Sequence, residues 1–145
     1  KTLGLVLVGG NGAAVASEYL TPLGQYFNGD VVENLPGVMM LNVQAFFSNF
    51  SARAVDVTAT VYGAVSQAEV EAALTAFLSP VALDEDGQYV HDFGATVFKE
   101  RLVAVMFNSK PGKVRNVVMS APAADVVLTA LQLPVPGTLT ITVIP

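Results

Sequence analysis

The chain reads as an α+β fold built from two small strand–helix modules, residues 1–52 and 53–145. Three observations predict it. Residues 54–62 (AVDVTATVY) alternate with the period of a half-buried strand, Val55, Val57, Ala59 and Val61 to one side and Asp56, Thr58 and Thr60 to the other. Val70, Ala73, Leu74, Phe77 and Leu78 then recur at the spacing of one helical face. Residues 113–145 carry two further strand-like runs: one is 114–120, and in the other Leu139, Ile141 and Val143 alternate with Thr138, Thr140 and Thr142. Strands of this kind cannot stand alone in water, so the upstream helices must cover their apolar face. The second module is therefore expected to be a β-α-(hairpin)-α-β-β layer, with helices on one face of a mostly antiparallel sheet.

In chain order, residues 2–8 form a short apolar run, the first expected strand, which Gly9-Gly10-Asn11-Gly12 ends. Val15, Tyr19, Leu20, Leu23 and Phe27 follow at helical spacing, with Ser17 as a candidate cap. Pro22 should kink that helix or restart it, with Thr21 as the new cap. Asn28-Gly29-Asp30 stops it, residues 30–37 read as a loop and 38–47 as a strand of mixed faces. Ser51-Ala52 is a candidate linker. After the strand at 54–62, Ser66-Gln67-Ala68-Glu69 is a capping-box pattern that opens the second helix, and Ser79-Pro80 closes it. Residues 81–90 read as a hairpin about Asp84-Glu85-Asp86-Gly87. A third helix is expected over 95–108, with Phe98, Leu102, Val105 and Met106 inward and Lys99, Glu100 and Arg101 outward. Pro134-Val135-Pro136-Gly137 is expected to force a turn between the last two runs. Strand, glycine, serine and helix recur at 3–27 and 55–77, a hint of internal duplication.

Composition narrows the classes of function. Hydrophobic residues make up 52% and charged residues 13%, against roughly 25% charged in ordinary soluble domains. Either the core is unusually large or part of the surface is covered by other subunits. The net charge of −5, with seven Lys and Arg in no dense cluster, argues against a nucleic-acid partner, whose phosphates need cations. No run approaches the length of a membrane span, so no membrane partner is expected. Cys is absent, which removes disulfides and thiolate chemistry. Lys1 leads almost directly into a strand, so the chain is expected to be a fragment or one domain of something longer.

The chemical motifs are weak. Gly10-Asn11-Gly12 sits between a strand and a helix, as in a dinucleotide fingerprint, but Val15 occupies the third glycine position. An ordinary turn is expected there, with small-molecule or nucleotide binding by the Gly9–Gly12 loop as the alternative. His91 is the sole histidine, so no metal site or serine–histidine pair gathers around it. It reads as a loop residue, with Asp92 as a possible cap for the following helix. Asp84, Glu85 and Asp86 lack the alternating ligands of a calcium loop and read as a solvated turn. Glu69 and Glu71 lie two apart on a helix and point to different sides, and no serine stands in G-x-S-x-G. No catalytic, cofactor-binding or metal-ligating residue is therefore nominated, and an enzyme is not expected. The candidate interface is the cluster Phe46, Phe47 and Phe50, because aromatics are enriched in subunit contacts as well as in cores.

Taken in order, several stretches resemble the baseplate J-like family of contractile phage tails and related injection systems. They are LGLVLVGGNG at 3–12, VDVTATV at 55–61, PGKVRNV at 111–117, SAPAADVVL at 120–128 and PGTLTITV at 136–143. The resemblance covers most of the chain and is clearest from Val55 onward; Pro22 and the long connection over 30–51 depart from it. It implies a wedge-type structural component of the virion tail baseplate, assembled in the bacterial host cytoplasm, with no cofactor and no catalytic residues. Its implied partners are other baseplate and tail proteins and further copies of itself within a ring. An extracellular adhesion domain is a further alternative compatible with a strand-rich chain lacking Cys.

Overall fold

A computed structural model describes residues 2–30, 35–37 and 44–145, with only the backbone at positions 2, 30, 35 and 36. The fold is α+β, and the chain divides into two compact units, Lys1–Phe50 and Ser51–Pro145.

The first unit contains β1 (Thr2–Leu7), α1 (Ser17–Asn28), β2 (Gly29–Asp30), β3 (Leu35–Pro36) and β4 (Gln44–Asn49). β1 and β4 pair in parallel, β2 and β3 antiparallel, and α1 packs on β4. Two asparagine side chains fix β4 by imitating backbone. Asn28 accepts from the Ala45 N–H and donates to its carbonyl, both at 2.7 Å. Asn49 does the same for Val15, at 2.8 and 2.9 Å. Helix α1 begins after Ala16, not after a Ser17 cap, and it runs through Pro22 without the expected restart at Thr21. Proline inside a helix forfeits one backbone bond; here the helix continues for six residues beyond it. Part of the strand expected over 38–47, and part of the expected loop over 30–37, lie outside the described residues.

The second unit contains β5 (Ser51–Gly63), α2 (Gln67–Phe77), β6 (Thr96–Val97), α3 (Lys99–Asn108), β7 (Val114–Ala121), β8 (Val126–Val127) and β9 (Gln132–Ile144). Its main sheet has three strands in the order β7-β5-β9. β5 runs antiparallel to β7 but parallel to β9, so the sheet is mixed where mostly antiparallel pairing is expected. The long path from β5 to β9 carries both helices, which gives the chain the crossover that a parallel neighbour requires. α2 packs on β9 and α3 on β7. The core between them holds Val55, Val57, Ala59 and Val61 of β5 with Val70 and Leu74 of α2 and Leu102 and Met106 of α3. These are the faces that the period-two and helical patterns predict.

Four local expectations are corrected. Ser51-Ala52 is the start of β5, not a linker, paired with Gln132 and Leu133; exposed side chains hid the strand from its pattern. Residues 134–137 form no turn but lie within β9, with a register shift opposite Val55 and Val57. Prolines are tolerated there because β9 is an edge strand, with a side that needs no donors. Gly137 is required at that irregularity, since a Cβ would meet the Asp56 carboxylate and the Val55 carbonyl. Helix α3 starts at Lys99 and not at 95, because Thr96–Val97 pair with Val126–Val127 as a short ribbon. Phe98 therefore sits at the helix start with extended backbone, 51% exposed, and does not join Leu102 and Met106 inside.

Candidate functional site

The sequence-nominated residues separate in space. On β4 the alternation sends Phe46 and Phe47 to opposite faces. Phe47 stacks at a tilt on Phe27 of α1, ring centres 5.3 Å apart, and is half-buried. Phe46 is 53% exposed, while Phe50 is buried. Of the three, Phe46 alone presents its ring to solvent.

The glycine loop satisfies itself. Gly9 N–H donates to the Ala13 carbonyl and Gly12 N–H to the Gly9 carbonyl, both at 2.8 Å, and Ala13 N–H donates to Asn11 Oδ1 at 3.1 Å. Those amides are turned into the loop, and α1 starts only at Ser17. A phosphate cradle instead needs amides aimed outward at a helix start.

In the acidic turn, Asp84 Oδ1 accepts from the N–H groups of Asp86 (3.0 Å) and Gln88 (2.8 Å). Leu83 bridges Tyr89 across it, so the hairpin forms where the sequence predicts one. Among the described residues no three His, Asp or Glu side chains converge as metal ligands would.

His91 is not a simple loop residue: it is buried, and its Nε2 lies 2.7 Å from the Phe77 carbonyl. Asp92 caps nothing at α3; the Lys99 N–H is met by Asp125 Oδ1 at 2.8 Å, from 26 residues downstream. A shallow cleft of about 680 Å³ opens near this corner, lined by Phe77, Asp84, Tyr89, Arg101 and Ser109 among others. Its chemistry is poor. Ser109 donates its hydroxyl hydrogen to the Met106 carbonyl at 2.7 Å, and Asp84 is held by the hairpin. The cleft has no paired nucleophile and base among these groups.

What the residue patterns did not show is how the polar faces of separate strands merge. Register places Asn116, Tyr62 and Ile144 in one row across the sheet, and Val118, Thr60 and Thr142 in the next. Thr58 and Thr140 continue it. None of these eight side chains is charged. Val118 is 53% and Ile144 42% exposed, and Thr58, Thr140 and Thr142 are exposed as well. On the face of the sheet opposite the helices these residues thus form an uncharged, threonine-rich patch with apolar residues on both outer strands, bordered by the exposed Asp56 two residues before Thr58 on β5. The signal was present in the Thr alternation, but only strand order and register join the pieces. Among the described residues, no helix is long and apolar enough to cross a membrane. Compared with known proteins, the chain matches no protein-family model and no curated sequence.

Proposed function

We propose that the chain is a structural component of the baseplate of a contractile phage tail or a related injection system. It acts as a wedge-type assembly protein through contacts with other tail proteins and with copies of itself. The observation that carries this reading is the uncharged patch of Val118, Thr58, Thr60, Thr140, Thr142 and Ile144 on the outer face of the β7-β5-β9 sheet, which is largely exposed although the chain has a net charge of −5. Apolar, charge-free surface of this kind is characteristic of interaction sites. The ordered motifs from Val55 to Val143 supply the particular assembly. Neither the glycine loop nor the cleft beside Phe77 offers chemistry that competes with it.

The test combines gene order with reconstitution. Genes for sheath, tube and spike proteins are expected beside this one, and co-expression with their neighbours should yield a complex that survives gel filtration. An isolated gene, together with a protein that stays monomeric and binds no hydrophobic dye, would overturn the reading.

A further inference from the structure

β9 is an edge strand whose two halves are treated differently. The first half carries Pro134 and Pro136, which blunt an edge by removing donors. Residues 138–144, TLTITVI, have no proline, no charge and strong β-formers throughout. Among the described residues β9 pairs with β5 alone, so this half leaves a row of backbone groups open along its other side. An unprotected uncharged edge of this length is a template for another strand.

The strand's own sequence names the partner. Centre a two-fold axis on Ile141 and lay a second copy of β9 antiparallel beside the first. Ile141 then faces its own copy, Thr140 faces Thr142, and Leu139 faces Val143. Leu139, Ile141 and Val143 line the core side and Thr140 and Thr142 the exposed side, so each of these pairs matches in kind and in face, while at the two ends Thr138 meets Ile144 on the exposed side. Charge points the same way. The facing segments carry no charged side chain, so a chain of net charge −5 meets itself here without like-charge opposition. The opposite edge strand, β7, is not free of charge, since it contains Arg115.

We infer that two copies of the chain join through antiparallel β9–β9 pairing about Ile141, extending each three-stranded sheet into one continuous six-stranded sheet. This is an isologous contact, which closes on itself. It rests on reading the chain as an assembly protein and names one of that protein's partners.

The test is a charge exchange at Thr140 and Thr142, both exposed, with the whole chain followed by sedimentation across a wide concentration range. The wild type should pass from monomer to dimer. The double variant T140K/T142K sets Lys against Lys twice and should weaken dimerisation by on the order of tenfold or more. T140K/T142E sets Lys against Glu twice and should restore it. Circular dichroism of both variants should match the wild type. If the wild type dimerises and the Lys/Lys variant dimerises equally well, β9 pairing is wrong while assembly through another face stands. If the Lys/Glu variant fails to recover, the antiparallel register about Ile141 is wrong. A wild type that is monomeric throughout rejects the self-pairing. Binding of a partner from the same gene cluster, lost in the Lys/Lys variant, would then assign the edge to a heterologous strand.

Discussion

His91 closes on Phe77 in two ways: its Nε2 lies 2.7 Å from the Phe77 carbonyl, and its ring stands edge-on to the Phe77 ring with centres 4.9 Å apart. A carbonyl oxygen can only accept, so Nε2 carries the hydrogen and donates it. Phe77 is the last residue of α2, where carbonyls have no partner within the helix. His91 therefore supplies a cap from 14 residues downstream and ties the hairpin loop back to the helix.

That contact sets a pH dependence. Burial pushes the His91 pKa below its ordinary 6.5, and the nearby Arg101 charge adds to this, against the opposing effect of the Phe77 bond. The folded state thus holds the ring neutral while the unfolded chain still takes up a proton. Where the unfolded state binds more protons, stability rises with pH. Stability should be complete above about pH 6.5 and decline as pH falls below it. Urea titrations at several pH values would show this slope, and His91→Gln should flatten it between pH 5 and 7. An unchanged slope in the variant would assign it to other groups.

The start of α2 governs the acid limb. Ser66 accepts from the Glu69 N–H at 3.3 Å while Glu69 accepts from the Ser66 N–H at 2.8 Å, and Lys110 reaches Glu69 at 2.7 Å. The Lys110 contact, followed by the Ser66 bonds, lowers the Glu69 pKa from 4.5 to about 2. Its contribution is present above pH 4.5 and lost as pH falls toward 2. Glu69→Gln should be less stable than the parent at neutral pH and indistinguishable from it near pH 2. The ion pair is about 40% exposed on both sides, so salt should shrink the Lys110 part of this difference. Ser66→Ala, which removes the reciprocal cap, should cost about 1 kcal/mol.

Gly63 ends β5 with φ +150°, and a Cβ there would fall on the Lys113 carbonyl oxygen and lie 2.8 Å from Val114 Cα. Both obstacles are backbone, and the Lys113 carbonyl is already held by the Ala64 N–H at 3.0 Å. Gly63→Ala should therefore destabilise the second unit by about 2–3 kcal/mol or more. Gly87→Ala is its control for positive φ without a clash, because its Cβ would meet open space. Equal losses in the two variants would show that strain, not overlap, decides.

The second unit was legible where its elements are amphipathic. The β5 alternation and the α2 stripe each identify a face without knowledge of a partner, and the capping box marks the helix start to the residue. What escaped has a different physical origin. Residues 134–137 look like a turn because proline and glycine act locally, whereas edge position is a property of the whole sheet. His91 reads as an ordinary loop residue because its hydrogen-bond partner is a carbonyl, which every residue carries and no sequence pattern marks. The outer surface was visible only as unremarkable threonines until register placed Thr60 beside both Val118 and Thr142.

Phe46 and Phe47 are adjacent in sequence and should respond oppositely. Phe47 packs on Phe27, so Phe47→Ala removes an aromatic contact between α1 and β4 and should lower the stability of the first unit by about 1–3 kcal/mol. Phe46→Ser exchanges an exposed ring for a hydroxyl and should leave unfolding within about 0.5 kcal/mol of the parent. The second variant should instead bind less hydrophobic dye. Loss of stability in Phe46→Ser without a change in dye binding would place that ring in the fold.

Phe98, Leu102 and Met106 share helical spacing, yet only the last two are within the core, each fully buried. Spacing alone assigns all three to one inward stripe. The extended backbone at Phe98 takes it off the helix, and the bond from Lys99 N–H to Asp125 fixes where the helix begins. Leu102→Ala should therefore cost about 2–5 kcal/mol, as large-to-small changes in packed cores do. Phe98→Ala should cost less than about 1 kcal/mol, although phenylalanine is the larger side chain. Asp125→Ala leaves the Lys99 amide without its carboxylate and should loosen the first turn of α3, read as faster amide exchange at Lys99 and its neighbours. If Phe98→Ala proved as damaging as Leu102→Ala, the helix would start earlier than Lys99 and the stripe expected from spacing would be restored.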